Sequence, residues 1–557
     1  MQQLFGSALL VLVFASTASP QGPDRVRTPR ETQELPGLTE IPGEREFTSR
    51  LIVRPIQIRS MIAAGESPAE ALRRHEDARR TLSAWTTVRY VPQTDETILQ
   101  LRPAEREADA IAAILGTGLF EYAEPDWLVY PPKPVDPKSA AARRGSGSTS
   151  PPTHSFQWLC PDDPRLDQQW HHNRARLGSC EAWFQHTGTP TISIGICDTG
   201  LRTTHEDLQR FRLEGYNAVD RLWESQGGDI SPVLGHGTST TGVAAANGNN
   251  GVGIAGVGWY LGHRMLRVSN ESNGAASLSD LQHAVRTSIE NGDRVASVSY
   301  SGVEFASNLT TSAYVHSLGG LLVWAAGNAG TTFSSPDRDA DDLIVVGATD
   351  SADVLAGFSN RGAFVDLVAP GVSVYTLSAS SDSSYGGASG TSFACPMAAG
   401  VCAMIWSQQP NLSPGDVEYI LKSSAHDLGA PGVDDLYGYG RIDLAAALAM
   451  DATRPLQAEI GVAPPSGLSP LTVSFHDLST GVATSWIWDF GDGAVSTEQN
   501  PTHTYVNSGM YTVTLTATNA LGSDTTTVID AVAVDFAPPI ASFWANPSFG
   551  TGPLAVQ

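Results

Sequence analysis

Hydrophobic positions in the middle of the chain form short runs that end in polar or small residues, which predicts alternating strands and helices. The run Ser193–Cys197 is apolar and ends at Asp198, so it predicts a buried strand. A second predicted strand, Val323–Ala326, ends in Gly-Asn. The run Ala394–Trp406 predicts an apolar helix, with Pro396 in its first turn, where no backbone hydrogen bond is lost.

Different patterns on either side of this region predict further domains, as a length of 557 residues also requires. Upstream, Pro68–Trp85 predicts a charged helix and Asp109–Leu115 a second helix, with alternating apolar stretches around them. After Met450, the alternation of Thr with apolar residues in Tyr511–Asn519 predicts a strand.

The first residues and the overall charge indicate where the protein acts. Leu4–Ala18 is a short apolar stretch that ends in small residues, which favours a secretory signal peptide cleaved after Ala18. A membrane anchor would need a longer apolar run, and no later segment has one, so we expect a secreted protein with no membrane span. The net charge of −24 excludes the basic footprint that nucleic acid binding needs.

An acid, a base and a nucleophile occur in the order Asp198, His236 and Ser392, each at the end of a predicted element. The acid lies in Asp-Thr-Gly, the base in Gly-His-Gly-Thr, and the serine in Gly-Thr-Ser-Phe-Ala-Cys-Pro. A serine at a helix start is usually only a cap. A serine hydroxyl becomes a nucleophile when a base is within hydrogen-bond reach and a carboxylate orients that base.

With these three motifs the chain resembles the subtilisin-like (subtilase) serine proteases from about Asp163 to about Met450. The resemblance implies an α/β catalytic domain with a central parallel sheet, in which Ser392 is nucleophile, His236 general base and Asp198 its orienting acid. It also implies that the Asn328 side chain and the Ser392 backbone N–H stabilise the oxyanion. Phe393 replaces a methionine that is common in the family, and we expect it to face the packing side of the helix.

The same resemblance implies a binding cleft for extended polypeptide substrates. The cleft residues are an edge strand and a facing pocket wall: Ser299, Tyr300, Ser301 and Gly302, and Ala325, Ala326 and Gly327. The opposing edge is expected near Asn273–Ala275. Main-chain pairing on both sides would give affinity with weak sequence demands. Small neutral walls permit large apolar side chains, whereas Asp337–Asp339 near the pocket floor would favour basic ones.

A structural Ca²⁺ site is also implied by the resemblance. Its ligands would be carboxylate, amide and backbone oxygens, the set that Ca²⁺ prefers. The candidates are Asp163, Asp207, Asn247, Asn249, Asn250, Val252 and Ile254. The choice between Asn249 and Asn250 stays open, and a plain Asn/Gly turn is the alternative.

The flanking regions resemble two known kinds of domain. The upstream part, which ends in Glu-Pro-Asp, is similar to the small α+β inhibitory propeptide of subtilases, although an ordinary N-terminal domain is the alternative. Downstream, Trp-Asp-Phe-Gly-Asp-Gly and its partners resemble a polycystic-kidney-disease (PKD) domain, an Ig-like all-β sandwich. The predicted divisions are a signal peptide 1–18, a pro-segment 19–45, a propeptide 46–130, a linker 131–154 that contains Arg143-Arg144, a peptidase domain 155–452, a PKD domain 457–534 and a truncated second PKD repeat 535–557.

The five cysteines leave several roles open. A disulfide between Cys160 and Cys180 is possible in an oxidising compartment, whereas Cys197, Cys395 and Cys402 are expected to be core residues.

Together these features predict a secreted serine endopeptidase that is made as a self-processed precursor and inhibited by its own propeptide. Its partners would be polypeptide substrates and, through the PKD domain, insoluble protein or polysaccharide. A non-catalytic surface adhesion protein is the alternative. An esterase is disfavoured because no Gly-x-Ser-x-Gly surrounds Ser392.

Overall fold

The computed structural model describes residues 38–131, 160–333, 338, 342–450, 456–519 and 522–535. The predicted signal peptide, most of the pro-segment and the linker, Asp337 and Asp339, and nearly all of the second PKD repeat lie outside these residues.

The N-terminal domain is a small α+β unit built on a four-stranded antiparallel sheet in the order β3-β4-β2-β5. Its strands are β1 (Arg45–Glu46), β2 (Arg50–Pro55), β3 (Thr86–Val91), β4 (Glu96–Gln100), β5 (Phe120–Pro125) and β6 (Leu128–Val129). Its helices are α1 (Ile58–Ala63), α2 (Pro68–Leu82) and α3 (Glu107–Leu115). Helix α2 begins where the sequence predicts, because Ser67 caps it and Pro68 needs no hydrogen-bond acceptor at the first position.

The central domain is an α/β unit with an eight-stranded sheet in the order β15-β14-β13-β12-β7-β10-β8-β9. Its strands are β7 (Ser193–Asp198), β8 (Tyr216–Asn217), β9 (Leu222–Trp223), β10 (Gly262–Arg267), β11 (Ala276–Ser277), β12 (Val295–Val298), β13 (Leu321–Ala325), β14 (Leu343–Thr349), β15 (Leu367–Pro370), β16 (Val374–Leu377) and β17 (Tyr385–Ala388). Neighbouring strands of the sheet are parallel except β8 and β9. The central strands are buried on both faces, which explains why they read as continuous apolar runs.

Helices pack on this sheet and on one another. The helices are α4 (Ser179–Gln185), α5 (His236–Ala245), α6 (Leu278–Glu290), α7 (Ala306–Ser317), α8 (Thr391–Gln408), α9 (Pro414–Ser423) and α10 (Leu444–Ala449). Helix α8 is almost completely buried and packs on α5 and on the central strands, whereas α6 packs on α7. Helix α8 begins at Thr391, three residues earlier than the apolar run indicates, so Pro396 lies inside the helix and beyond its first turn.

The C-terminal domain is a β-sandwich of a three-stranded and a five-stranded sheet. Its strands are β18 (Ile460–Ala463), β19 (Ser466–Leu468), β20 (Leu471–Asp477), β21 (Ser485–Asp489), β22 (Val495–Ser496), β23 (Thr502–Tyr505), β24 (Gly509–Asn519) and β25 (Gly522–Asp535). Phe475, Trp488 and Tyr505 are fully buried between the sheets. The sandwich also contacts the central domain, since the Gly481 N–H donates to Asp416 at 3.1 Å. The predicted α/β fold with its α+β and Ig-like flanks is confirmed.

Two further features concern the environment of the protein. A disulfide joins Cys160 and Cys180, the pairing that the sequence leaves open. Within the described ranges, no helix has the length and apolar character to cross a membrane.

Candidate active site

Asp198 and His236 meet at the edge where the parallel strands end. Asp198 is the last residue of β7 and is fully buried, and His236 is the first residue of α5. His236 Nδ1 lies 2.8 Å from Asp198 Oδ1 and 3.0 Å from Oδ2. The Thr199 N–H donates to Oδ1 at 2.7 Å and the Thr240 hydroxyl to Oδ2 at 3.1 Å. These contacts hold the carboxylate in place and direct Nε2 away from it.

Ser392 is the second residue of α8 and is buried beside this pair. The ring of the next residue, Phe393, lies 5.9 Å from the His236 ring between centroids and packs into the core, on the side of the helix that the sequence predicts. Among the described residues, neither Ser392 Oγ nor His236 Nε2 has a hydrogen-bond partner, although both atoms are buried. Both atoms are therefore available to a group that enters from the cleft.

Pro396 fixes the backbone of Ser392. A proline has no N–H, so the carbonyl four residues earlier, that of Ser392, loses its helical donor. The Ser299 hydroxyl donates to this carbonyl at 3.0 Å instead. Because Pro396 frees this carbonyl, the start of α8 is hydrogen-bonded to Ser299, the residue after β12.

Asn328 presents its side-chain amide nitrogen next to Ser392. Its Oδ1 accepts the Thr391 N–H at 2.9 Å and the Thr391 hydroxyl at 2.8 Å, which leaves Nδ2 buried and without an acceptor in the described residues. A Cβ added to Gly390 would lie 2.9 Å from Nδ2 and 3.7 Å from the Ser392 backbone nitrogen. Glycine therefore keeps open a space that two N–H donors flank. Such a pair suits a developing negative charge.

The predicted cleft walls lie on both sides of a cavity of about 370 Å³. Four of the predicted residues line it: Ser301, Gly302, Ala326 and Gly327. Ala325 belongs to β13 instead. Tyr300 is buried, and its hydroxyl donates to the Gly274 carbonyl. The expected edge strand at Ser299–Gly302 is not a strand, because the chain turns at Gly302 with φ +89°. Arg338, expected near the pocket floor, donates instead to Asp435 at 2.7 Å and is not among the lining residues.

The end of the N-terminal domain lies in this cleft as an extended strand. Strand β6 pairs antiparallel with β11 on one side and with β1 on the other. The Ser301 N–H then donates to the Tyr130 carbonyl at 3.2 Å. The opposing edge is thus Ala276–Ser277, directly after the predicted segment. Strand β1 is not predicted from the sequence, because two residues carry no periodic signal.

Two carboxylates of the N-terminal domain cap helices of the central domain. Glu124 accepts the N–H groups of Ala306 and Ser307, at 3.0 and 3.1 Å, at the start of α7. Asp126 accepts the N–H and the hydroxyl of Ser279, both at 2.9 Å, at the start of α6. Burial raises the pKa of Glu124 to about 7 and also raises that of Asp126.

The candidate Ca²⁺ ligands are brought together only in part. Asn250 Nδ2 donates to Asp207 at 2.8 Å, and the Asn249 and Asn250 N–H groups donate to Asp163 at 2.7 and 3.1 Å. The Val252 N–H donates to Asn250 Oδ1 within the loop, and the Ile254 N–H donates from the loop to Asp207. Asn247 is turned away, since its Oδ1 accepts the Arg210 N–H at 2.9 Å. Sequence reasoning missed Asp162, which accepts the Gly251 N–H at 3.0 Å.

Burial makes these carboxylates costly without a cation. It raises the pKa of Asp163 to about 6 and that of Asp207 to about 7. The hard oxygen donors fit Ca²⁺ by their chemistry.

The free cysteines Cys197, Cys395 and Cys402 are buried in the core, as expected. Burial raises the pKa of Cys395 to about 12, and raises the pKa of the other two thiols as well. They therefore lack the thiolate character of a nucleophile.

Comparisons with known proteins show the family of the chain and its C-terminal domain. Residues 189–440 match the model of the subtilase family, and residues 462–534 match that of the PKD domain. The chain is 30% identical to thermitase from Thermoactinomyces vulgaris over 51% of this chain and 97% of that protein. It is 34% identical to the halolysin-like extracellular serine protease Nep from Natrialba magadii over 52% of this chain. This chain spans only 53% of the length of Nep and 63% of the length of another curated relative.

The fold has a solved counterpart. The crystal structure of fervidolysin from Fervidobacterium pennivorans, described as a keratinolytic enzyme related to subtilisin, superposes with a TM-score of 0.56 at 18% identity. The superposition covers 89% of this chain and 78% of that one. At this identity, the likeness concerns the fold alone.

Proposed function

Because this chain belongs to the subtilase family of serine proteases, we propose that it is a secreted serine endopeptidase that hydrolyses peptide bonds of extracellular proteins. The observation that carries this proposal is the convergence of three unpaired buried groups: the Ser392 hydroxyl, His236 Nε2 and Asn328 Nδ2. A scissile peptide bond that enters the cleft would pair with all three. Secretion is inferred from the predicted signal peptide, the disulfide and a relative that is named extracellular.

The chemistry follows from the roles of these groups. Ser392 Oγ attacks the substrate carbonyl carbon while His236 Nε2 takes the hydroxyl proton and later gives it to the leaving amine. Asp198 stabilises the charged imidazole through Nδ1. The oxyanion lies between Asn328 Nδ2 and the Ser392 N–H, where loss of one donor costs about 10²- to 10³-fold in kcat. Water then takes the place of the amine. His236 Nε2 accepts a proton from this water as it attacks the acyl carbon, and then returns a proton to Ser392 Oγ.

We propose that the N-terminal domain, 46–130, is an inhibitory propeptide. Its terminal strand β6 pairs with β11 of the central domain, where a substrate strand would pair, and its carboxylates cap α6 and α7. Cleavage in the following linker, 131–154, would separate it from the peptidase domain, 155–452. Ser392 of the same chain would make this cut.

A Ca²⁺ ion would be held by the carboxylates of Asp163 and Asp207 and by oxygens of the Asn249–Ile254 loop. Its role would be structural, because it joins the start of the central domain to the loop after α5. Such an ion, bound only by the folded state, stabilises that state by mass action.

The PKD domain, 457–534, would bind insoluble protein or polysaccharide and keep the enzyme on it. A weak tethered binder raises the local enzyme concentration on a polymer with many sites. A passive spacer is the alternative role.

Labelling of the purified, matured protein with a fluorophosphonate probe tests the proposed activity. We expect one probe per chain on Ser392, found by peptide mass spectrometry, and none on a Ser392→Ala variant whose N-terminal domain has been removed by an added protease. A folded, matured protein that takes up no probe would contradict the enzyme and favour the adhesion protein. Equal labelling of the Ser392→Ala variant would show that another residue is the nucleophile.

A further inference from the structure

The cavity beside Ser392 has one charged residue of the peptidase domain in its described lining. This residue is Glu304, which lies two residues after the turn at Gly302 and lines the same cavity as Ala326, Gly327 and Asn328. The other lining residues of that domain are small, polar or aromatic, such as Phe333. A side chain that enters this cavity therefore meets a neutral wall with a single carboxylate.

The N-terminal segment already supplies a cation to this carboxylate. Arg45, in strand β1, donates to Glu304 at 3.1 Å, and their side chains are only 17% and 21% exposed. The Arg45 guanidinium also lies over the Trp127 ring, 5.6 Å from its centroid. Both Arg45 and Trp127 precede the linker, so they leave with the N-terminal domain when the precursor is cut. Glu304 stays.

In the precursor the N-terminal segment covers Glu304, burial raises its pKa, and Arg45 is its cationic partner. When that segment leaves, the carboxylate loses this partner and faces the open cavity. Glu44, another acidic residue beside the cavity, departs with the same segment and its repulsion is lost. The mature cleft would therefore have a place for one positive charge. The net charge of the chain, −24, would also attract cationic peptides from a distance.

We propose that Glu304 gives the mature enzyme a preference for arginine or lysine in the primary specificity pocket of its substrates. This inference rests on the proposed endopeptidase activity, whose site it deepens. The carboxylate pairs with the substrate guanidinium or ammonium as it pairs with Arg45 in the precursor. Arginine is favoured over lysine, because its planar fork can donate two parallel hydrogen bonds to one carboxylate.

The test compares substrates that differ only in charge. Two chromogenic tetrapeptides end in arginine or in citrulline, which has the same shape as arginine but no charge, before the cleaved bond. For the matured protein, with its C-terminal β-sandwich retained, we expect kcat/KM to be about 10- to 100-fold higher for arginine, as a hydrogen bond to a charged group implies. In Glu304→Gln this ratio should fall to within about twofold of one.

Two variants serve as controls. Glu290→Gln removes one exposed carboxylate at the far end of α6 and should keep the arginine-to-citrulline ratio of the wild type. Glu304→Asp keeps the charge on a shorter side chain and should keep part of the preference, which decides the matter if Glu304→Gln does not fold.

The outcomes separate this inference from the activity on which it rests. A wild-type ratio near one, or an unchanged ratio in Glu304→Gln, overturns the inference and leaves the endopeptidase intact, with Glu304 serving only to dock Arg45. If the wild type cleaves no peptide, the endopeptidase proposal fails, and calorimetry with benzamidine then tests the pocket. Benzamidine binding that Glu304→Gln weakens at least tenfold supports the inference, and absent or unchanged binding overturns it.

Discussion

Replacing Glu124 by alanine would remove the cap that the N-terminal domain places on helix α7. The Glu124 carboxylate accepts the N–H groups of Ala306 and Ser307 and also the Ser307 hydroxyl. The first N–H groups of a helix have no acceptor within the helix, so these donors depend on Glu124. After the substitution they would be left without partners in a buried interface.

The size of the effect follows from these contacts. Losing a helix cap costs about 1–2 kcal/mol, and leaving a buried donor unpaired adds about 1–3 kcal/mol. Removing a buried carboxylate offsets part of this cost. A net loss of about 2–3 kcal/mol corresponds to about a 30- to 150-fold weaker inhibition constant, Ki, of the N-terminal domain for the matured enzyme.

The assay adds the purified N-terminal domain, wild type or variant, back to the matured enzyme and measures Ki on a short peptide. Circular dichroism checks that each variant is folded. Glu121→Ala on the same strand is the matched control, since Glu121 pairs with Arg54 of its own domain. A second enzyme with Ser307→Ala completes a double-mutant cycle, in which Glu124 and Ser307 should couple by about 1 kcal/mol. A Ki for Glu124→Ala within threefold of that for Glu121→Ala would refute the cap.

Four further outcomes are expected. Burial raises the pKa of Glu124 in the complex to about 7, above its ordinary value of about 4.3, so association takes up a proton. The added stability is complete below the ordinary pKa and is lost as the pH rises through 7. Ki should therefore weaken from pH 5 to pH 7, and Glu124→Gln should flatten this slope. Ser392→Ala should abolish maturation, so that gel electrophoresis shows a precursor uncut between residues 130 and 163. A chelator should lower the melting temperature of the wild type but change that of Asp207→Ala much less, because bound ligand stabilises the folded state. In Gly461→Val the new Cβ would lie 2.3 Å from the Ser317 carbonyl oxygen, so the β-sandwich should undock and melt as a separate calorimetric transition, with cleavage of short peptides retained.

Each of these outcomes has a clear opposite. A Ki that is constant between pH 5 and pH 7 would mean that Glu124 does not change its protonation on binding. Normal processing of purified Ser392→Ala would assign the maturation cut to another enzyme. Equal chelator effects on the wild type and on Asp207→Ala would exclude this aspartate as a ligand. A single unchanged transition in Gly461→Val would show that the sandwich tolerates the close approach.

The sequence predicts those features whose signals are local. Asp198, His236 and Ser392 each lie at the end of a strand or at the start of a helix, and these ends can be read from apolar runs and glycines. The start of α8 is misjudged because Thr391 and Ser392 are polar, although both are buried against neighbouring elements. A polar residue that is satisfied by distant partners cannot be distinguished from a loop residue by its neighbours in sequence.

The contacts between distant parts of the chain could not be predicted in this way. Arg45 and Glu304 are separated by 259 positions, and nothing in either neighbourhood indicates the other. The Ser299 hydroxyl donates to the Ser392 carbonyl, which lacks a helical donor because of Pro396. Ser299 and Pro396 are separated by 97 positions. Ionic and polar partners across domain boundaries carry no periodicity, so they become visible only when the fold brings them together.

The Ser392 site differs from the rest of the core in how its polar groups are satisfied. Asp198 is held by three donors, His236 Nδ1, the Thr199 N–H and the Thr240 hydroxyl. Asn328 Oδ1 accepts two hydrogen bonds, so the supporting groups are fixed before a substrate arrives. The atoms that would touch a substrate, Ser392 Oγ, His236 Nε2 and Asn328 Nδ2, are instead buried without partners in the described residues. In the proposed reaction these atoms take up their partners as the bond is cleaved: Asn328 Nδ2 donates to the oxyanion and His236 Nε2 accepts the Ser392 hydroxyl proton. Preorganised donors of this kind lower the barrier because they need no rearrangement when charge develops. Glu304 would extend the same arrangement to the pocket, since its charge is paired in the precursor and becomes available to a substrate only after the N-terminal domain has left.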